Sequence, residues 1–257
     1  MMEQSRRRNY KWTSQRILIA IWAVDFTAVL VALAHPVSLG ILRLFVAASV
    51  PFLWLLGIFL VRRKRALAAA VAVLGVLVIV FSVLPGRAID PADLRTEYVT
   101  QLKRYKGTRY VWGGENGRGI DCSGLVRRAL INANMRIAFC TANPAAFRSA
   151  LDLWWHDCSA LALGDQYRDF TVPVFKAESI NSITNPLLRP GDLAVTASGT
   201  HVLAYLGDQE WIQAEPGVMK VITLTAPDEN RWMKKEVSIM RWSQMNGTAN
   251  KPDARDG

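Results

Sequence analysis

The chain has 257 residues, of which 51% are hydrophobic and 20% charged, and this composition excludes a chain that is mainly disordered. The formal net charge is +10, but residues 1–87 hold 11 Lys and Arg against 2 Asp and Glu, whereas residues 88–257 hold 20 against 19. The positive charge therefore belongs to the N-terminal third, and the rest of the chain lacks the basic surface of a nucleic-acid-binding protein.

Three long apolar runs fill this N-terminal third, at residues 17–34, 41–61 and 66–84. At about 1.5 Å rise per residue, each is long enough as a helix to cross a bilayer core of about 30 Å. We therefore expect residues 1–87 to form a membrane anchor with three transmembrane helices. A cleaved signal peptide is the alternative for the first run, which follows several Lys and Arg residues, but it does not explain the other two.

Charged residues beside the apolar runs predict the orientation of this anchor. The N-terminal segment and the loop at 62–65 are rich in Lys and Arg, whereas the loop at 35–40 has neither. By the positive-inside rule, the N-terminus is cytoplasmic and everything after about residue 86 lies on the other side of the membrane.

One acidic residue, Asp25, lies inside the first apolar run, where an unpaired carboxylate is costly. Arg43 is expected near the opposite membrane face, so a direct ion pair between the two is not predicted. We interpret Asp25 as a protonated or water-reached residue between helices, with a contact to a membrane partner as the alternative.

Residues 88–245 are expected to form one folded domain, and residues 246–257 a mobile tail. Asp90 predicts a helix start, because Asp is a common N-cap and the following Pro91 suits the first helical turn. A short strand-like stretch at 109–112 and a Gly-containing loop come next.

The segment that begins at Cys122 carries the strongest chemical signal in the chain. Apolar residues at positions 125, 126, 129 and 130 fall on one face of a helix, and Asp121 stands at its N-cap position. Cys122 is therefore expected in the first turn of a buried helix, where unpaired backbone N–H groups and the helix dipole favour a thiolate.

The second half of the domain is predicted to contain five strands, at residues 193–197, 201–206, 210–214, 221–224 and 237–242. Helices followed by an antiparallel sheet are typical of an α+β fold.

Cys122, His201 and Gln213 together form a candidate catalytic group, in which a cysteine attacks an acyl carbon, a histidine transfers protons and a polar residue orients the imidazole. Gln213 shares a sheet face with His201 if residues 207–209 form a three-residue loop. A two- or four-residue loop puts Gln213 on the opposite face, because side chains alternate along a strand.

Several motifs resemble the NlpC/p60-type cell-wall cysteine peptidases. The nucleophile region of that family is similar to Tyr-Val-Trp-Gly-Gly at 110–114 and Asp-Cys-Ser-Gly-Leu-Val at 121–126. Its later signature is similar to Arg-Pro-Gly-Asp-Leu at 189–193, His-Val at 201–202 and Trp-Ile-Gln-Ala at 211–214. The motifs stand in the family's order, and the resemblance spans residues 92–243.

The resemblance implies a papain-like α+β domain that hydrolyses amide bonds in peptidoglycan stem peptides, with the bond from γ-D-glutamate to a diamino acid as the expected target. It implies the catalytic residues Cys122, His201 and Gln213 and the substrate-binding residues Tyr110, Asp121 and Ser123. With the predicted anchor, it places the enzyme in a bacterial inner membrane with its catalytic domain on the periplasmic or outer side. No cofactor is implied, and the expected partners are stem peptides, the bilayer and a possible membrane protein, but no nucleic acid.

Two features depart from the family pattern. The third catalytic position most often holds His in this family, whereas Gln213 stands there in this chain. The stretch at 135–188 matches no recognised part of the family, and we expect it to shape or cover the substrate groove.

Other residues offer rival sites. His156 is the alternative base, although the Asp-Cys-Ser string that follows it at 157–159 lacks a preceding Gly-rich loop. Cys140 and Cys158 form a candidate disulfide in an oxidising compartment. The wide spacing of the cysteines does not favour a metal site.

Three alternative functions remain open at this point. They are a catalytically silent module that binds wall peptide or a membrane partner, a thiol acyltransferase that uses the same residues, and a wall-degrading toxin.

Overall fold

The computed structural model describes the backbone of residues 2–247 and the side chains of residues 15–247. Nearly all of the tail predicted at 246–257 lies outside these residues. The chain divides into two compact units, Met1–Leu84 and Pro85–Gly257.

The first unit consists of three long helices, α1 (Met2–Ala34), α2 (Gly40–Val61) and α3 (Arg65–Val83). By length and composition, each contains a candidate membrane span, with mean hydropathy of 2.5 over Gln15–Ala34, 2.5 over Gly40–Val61 and 2.9 over Arg65–Val83. Most of their large apolar side chains are exposed. Such extensive apolar surface is typical of helices that face lipid.

Polar contacts join the three helices. The Trp22 indole donates a hydrogen bond to the Leu53 carbonyl at 2.9 Å, and the Trp54 indole donates to the Val71 carbonyl at 3.0 Å. Asp25 also has a partner inside this unit, because the Ser49 hydroxyl donates to its Oδ1 at 3.0 Å. This contact between α1 and α2 agrees with the interpretation of Asp25 as a residue held between helices.

The second unit combines four helices with a six-stranded antiparallel sheet, so the predicted α+β class is confirmed. The helices are α4 (Pro91–Lys103), α5 (Cys122–Thr141), α6 (Pro144–Trp155) and α7 (Ala160–Gly164). Strands β1 (Glu115–Asn116) and β2 (Gly119–Ile120) form a small hairpin. The main sheet has the order β3-β8-β4-β5-β6-β7, with β3 (Thr171–Ala177), β4 (Leu193–Thr196), β5 (Val202–Gly207), β6 (Glu210–Glu215), β7 (Lys220–Thr225) and β8 (Val237–Trp242).

The main core lies where α4 and α5 pack with the sheet. Its fully buried members come from both layers and include Leu94, Tyr98, Leu125, Leu130, Leu193, Ala204 and Ile212. Burial of this apolar surface fixes α5 on the sheet, and the first residue of α5 is the candidate nucleophile.

The structure differs from the sequence prediction at one stretch and adds regular elements where none had been predicted. Residues 109–112 form no strand, because only isolated bridges at Arg109 and Tyr110 are present there. Strand β3 was not predicted, although it pairs with β8 at one edge of the sheet. Much of the stretch at 135–188 is regular structure, since it contains the end of α5, the helices α6 and α7, and β3.

Candidate active site

The nucleophile helix begins at a tightly bonded aspartate. Asp121 caps α5, with its Oδ1 accepting from the Gly124 N–H at 2.6 Å and from the Ser123 hydroxyl at 3.1 Å. Its Oδ2 accepts from the Gly113 N–H at 2.7 Å, which ties the Gly-rich loop to the helix start. Burial raises the pKa of Asp121, and these three donors partly offset that effect.

A glycine is required one turn into this helix. A Cβ atom added at Gly124 would collide with the Gly114 carbonyl oxygen. The loop and the first turn of α5 can therefore approach closely only because this position lacks a side chain.

Cys122 lies in that first turn and is only 8% exposed. The backbone N–H groups of Val202, Ser123 and Cys122 itself are near enough to its sulfur to lower the thiol pKa. The contact with Val202 brings the cysteine to the start of β5, next to His201 in the chain.

The thiolate that the helix start favours at Cys122 is not the state that burial favours. The pKa of this thiol is raised to about 12, mainly by burial and also by the neighbouring Asp121 carboxylate, while the backbone N–H groups act in the opposite direction. The side chain is therefore a thiol at neutral pH, because desolvation outweighs the effect of the helix start.

His201 stands just before β5 and is 2% exposed. Its Nε2 lies 2.6 Å from Oε1 of the fully buried Gln213. Since the amide oxygen accepts, Nε2 carries the proton and Nδ1 is left as the basic nitrogen. Burial lowers the pKa of His201 to about 4, so the imidazole is neutral at neutral pH.

The turn between β5 and β6 sets the pairing of His201 with Gln213. Asp208 and Gln209 form the turn with φ of 50° and 62°, and Gly207 pairs with Glu210. This is a two-residue turn, not the expected three-residue loop. A register shift between Tyr205 and Gly207 nevertheless restores the predicted pairing from Tyr205 onward, so Gln213 lies on the face of His201.

Tyr110 lies close to the nucleophile. Its backbone N–H donates to the Met219 carbonyl at 2.9 Å, which holds the start of the Gly-rich loop against the β6–β7 turn. Burial raises the pKa of the Tyr110 phenol to about 12, and the adjacent Cys122 sulfur adds to this shift. The phenol therefore stays protonated and can donate a hydrogen bond.

Sequence reasoning missed an aromatic partner of the histidine. The Trp232 indole stacks on the His201 ring, with centroids 4.1 Å apart and an interplanar angle of 16°. The guanidinium carbon of Arg231 lies 4.4 Å from the Trp232 ring centroid. No local pattern in the segment between β7 and β8 indicated that it folds onto the histidine.

A second missed residue is Glu215, a buried carboxylate on β6. It accepts from the Gly217 N–H and from the Asn230 amide, both at 3.0 Å. Burial alone would raise its pKa, but these donors and nearby His201 hold the pKa of Glu215 below its usual value. Strand alternation was the available signal, because Glu215 follows Gln213 by two positions on the same face.

The rival histidine has a different partner. His156 ends α6, and its Nδ1 lies 2.9 Å from the Asp152 carboxylate one turn earlier. The structure thus pairs His156 with Asp152, and brings His201 to the strand that contacts Cys122. Cys140 and Cys158 are not joined by a disulfide.

Comparison with known proteins identifies the family. The sequence profile of the NlpC/P60 family matches residues 107–241. The chain belongs to the NlpC/P60 family. This confirms the resemblance inferred from the motifs around Cys122 and His201.

Curated and solved relatives are distant. The chain is 23% identical over 147 residues to the murein DD-endopeptidase MepS/murein LD-carboxypeptidase of Escherichia coli K12, which is 56% of this chain and 60% of that relative. The NlpC/p60 domain of the peptidoglycan hydrolase SagA is similar over 56% of this chain and 97% of that domain, at 21% identity and a TM-score of 0.34. The peptidoglycan hydrolase RipB of Mycobacterium tuberculosis is similar over 62% of this chain and 69% of that structure, at 23% identity and a TM-score of 0.37.

Proposed function

We propose that this protein is a membrane-anchored cysteine hydrolase that cleaves amide bonds in peptidoglycan stem peptides. The observation that carries the proposal is the hydrogen bond from His201 to Gln213. His201 directly precedes Val202, whose backbone N–H is near enough to the Cys122 sulfur to affect its pKa. Membership of the NlpC/P60 family, whose solved members include peptidoglycan hydrolases, supports the same chemistry.

The first half of the proposed reaction starts from a neutral pair. Nδ1 of His201 takes the thiol proton as the Cys122 sulfur attacks the acyl carbon, which avoids an isolated thiolate in a buried site. The backbone N–H of Cys122 and the protonated Tyr110 phenol are the candidate donors to the developing oxyanion. Asp121 and Ser123, which shape the helix start, are the proposed neighbours of the bound acyl fragment.

The second half returns that proton. The His201 imidazolium protonates the leaving amine, and the acyl fragment remains as a thioester on Cys122. Water then attacks the thioester with His201 as base, which releases the acid and restores the thiol. Gln213 keeps the proton of the neutral ring on Nε2 throughout.

The proposed location follows from the three apolar helices. They anchor the protein in a bacterial inner membrane with the N-terminus in the cytoplasm, and the catalytic unit faces the wall on the periplasmic or outer side. Support comes from the Lys/Arg-rich loop at 62–65 and from the hydropathy of the helices.

The test is a digestion of purified peptidoglycan with the detergent-solubilised full chain, beside a Cys122→Ala variant. We expect new stem-peptide fragments from the intact protein only, with masses that identify the bond. The expected bond joins γ-D-glutamate to a diamino acid, while the name of the E. coli relative points to D,D- and L,D-bonds as the alternatives. A folded protein that releases nothing, or that transfers the acyl group to another acceptor, contradicts hydrolysis.

A further inference from the structure

A cavity of about 520 Å³ lies beside the histidine, separate from the residues assigned above to the acyl fragment. The side chains that matter here are those of Ser198, Thr200, Arg231, Trp232, Lys235 and Glu236. Its volume is in the range of small-ligand sites.

Two segments build this cavity, and both lead to His201. One is the turn between β4 and β5, which ends at Thr200 and continues directly into the histidine. The other is the segment at 231–236, which precedes β8 and carries Trp232, the residue that stacks on His201. The Ala197 N–H joins the two segments by donating a hydrogen bond to the Glu236 carbonyl at 2.9 Å.

Trp232 forms the wall between the cavity and the histidine. The indole stacks on the His201 ring with the two ring centroids 4.1 Å apart, and the Arg231 guanidinium carbon lies 4.4 Å from the Trp232 ring centroid. The Trp232 indole therefore contacts both the imidazole and the guanidinium.

The charges of the cavity favour an anion. Among the lining residues, Arg231 and Lys235 are cationic and Glu236 is the one carboxylate, while Glu215, which pairs with Arg231, lies outside the lining. The hydroxyls of Ser198 and Thr200 lie 2.8 Å apart.

The donors of Arg231 are available to such a ligand. Arg231 forms an ion pair with Glu215 at 3.8 Å, but this contact is too long for a hydrogen bond, and the Glu215 oxygens already accept from Gly217 and Asn230. Among the residues that the structure describes, Lys235 forms no ion pair.

We propose that this cavity binds the free carboxylate of the peptide fragment that leaves with the amine. The inference rests on the proposed function, in which His201 protonates the leaving amine, so that this fragment lies on the histidine side of the scissile bond. A diamino-acid fragment carries such a carboxylate, and Arg231 with Lys235 are the groups that recognise it.

The experiment compares two synthetic stem peptides that differ only in the leaving fragment, which ends in a free carboxylate in one and a carboxamide in the other. For the full chain, we expect a KM about tenfold lower for the carboxylate, the effect of one charge-assisted hydrogen bond. The double variant Arg231→Gln with Lys235→Gln is expected to lose this preference by raising KM for the carboxylate alone, with kcat little changed.

Lys234→Gln is the matched control, because Lys234 pairs with Glu229 and does not line the cavity. It should keep the preference. A double variant that loses kcat equally on both peptides overturns the proposal, since Arg231 then acts only by supporting the stack on His201. Equal KM values for the two peptides with the unmodified chain also overturn it.

Failure of the proposed function gives a different result. If the unmodified chain cleaves neither peptide, calorimetric titration of the Cys122→Ala chain with both peptides tests the carboxylate site independently of cleavage. Tighter binding of the carboxylate that is lost in the double variant supports the carboxylate site, and equal binding overturns it.

Discussion

At the scale of single residues, burial controls the charge of the site more than the helix terminus does. A helix N-terminus stabilises a negative charge by about 0.3–1 kcal/mol at exposed positions. Removing an ion from water costs several kcal/mol. Cys122 illustrates the balance, because its thiol pKa is raised despite three backbone donors. The motif around Cys122 identified the helix start, but the degree of burial was not available from sequence.

The neutral state of His201 predicts that kcat/KM falls at an unusually low pH on the acidic side of its pH profile. Burial lowers the pKa of His201 to about 4, so the ring can accept a proton at every pH above that value. As the pH falls through about 4, the ring becomes protonated and the base is lost. We expect kcat/KM of the free enzyme to stay level from pH 6 to 8 and to fall only near pH 4, with circular dichroism confirming the fold at each pH. A midpoint near 6.5 would contradict a buried neutral imidazole.

The hydrogen bond from His201 Nε2 to the Gln213 amide oxygen predicts a loss of catalytic rate when the amide is removed. In Gln213→Leu, nothing holds the proton of His201 on Nε2, and the ring can rotate or change tautomer. We expect kcat to fall by about a hundredfold with a smaller change in KM, measured on a synthetic stem peptide.

Gln213→His is the matching control, because an imidazole nitrogen can also accept from Nε2. It should retain most of the rate. If Gln213→Leu keeps full activity while folding normally, Gln213 does not orient the histidine.

At the scale of elements, the alternation of side chains was predictable but the connections were not. Four of the five predicted strands match β4, β6, β7 and β8 within about one residue, and the fifth matches β5 with a one-residue offset, a margin usual for strand ends. The placement of Gln213 depended on a turn of unknown length. The observed turn has two residues, and a compensating bulge restores the register, which no local sequence pattern revealed.

Long-range packing explains the remaining differences. Strand β3 pairs with β8, at least 60 positions later in the chain, and Trp232 reaches His201 from a loop. Such contacts depend on tertiary structure and leave no periodic pattern in the sequence.

One buried arginine joins the nucleophile helix to the stretch that follows it. Arg127 on α5 is fully buried and pairs with Glu115 of β1 and with Asp157 after α6. It also donates to the His156 carbonyl at 2.8 Å. Replacement by Met leaves these carboxylates without their cation, so we expect Arg127→Met to lower the free energy of unfolding by about 3 kcal/mol in urea titrations.

Arg136→Met is the control on the same helix. Arg136 pairs with Glu97 at 3.1 Å, but its side chain is 55% exposed, so the loss should stay below about 1 kcal/mol. Equal losses for the two variants would show that the Arg127 network contributes no more than a surface pair.

At the scale of the whole molecule, charge asymmetry and hydropathy predict how the two units are used. In the proposed topology, the three candidate spans place the catalytic unit on the side of the membrane opposite the N-terminus, and the Lys/Arg-rich loop at 62–65 lies on the side of the N-terminus. An enzyme that acts on the wall must present its site outside the cytoplasm. The proposed orientation satisfies that requirement.

A native cysteine makes this orientation measurable. Cys140, near the end of α5, is exposed, whereas Cys122 and Cys158 are 8% and 3% exposed. A membrane-impermeant maleimide added to reduced, intact spheroplasts should therefore label the full chain at Cys140, and Cys140→Ser should abolish most of the labelling. If Cys140 reacts only after lysis, the catalytic unit lies in the cytoplasm, because the same thiol in the same fold differs only in its access to the reagent. The charge-based topology and the proposed action on the wall would then both be wrong, even if the isolated chemistry at Cys122 proved correct.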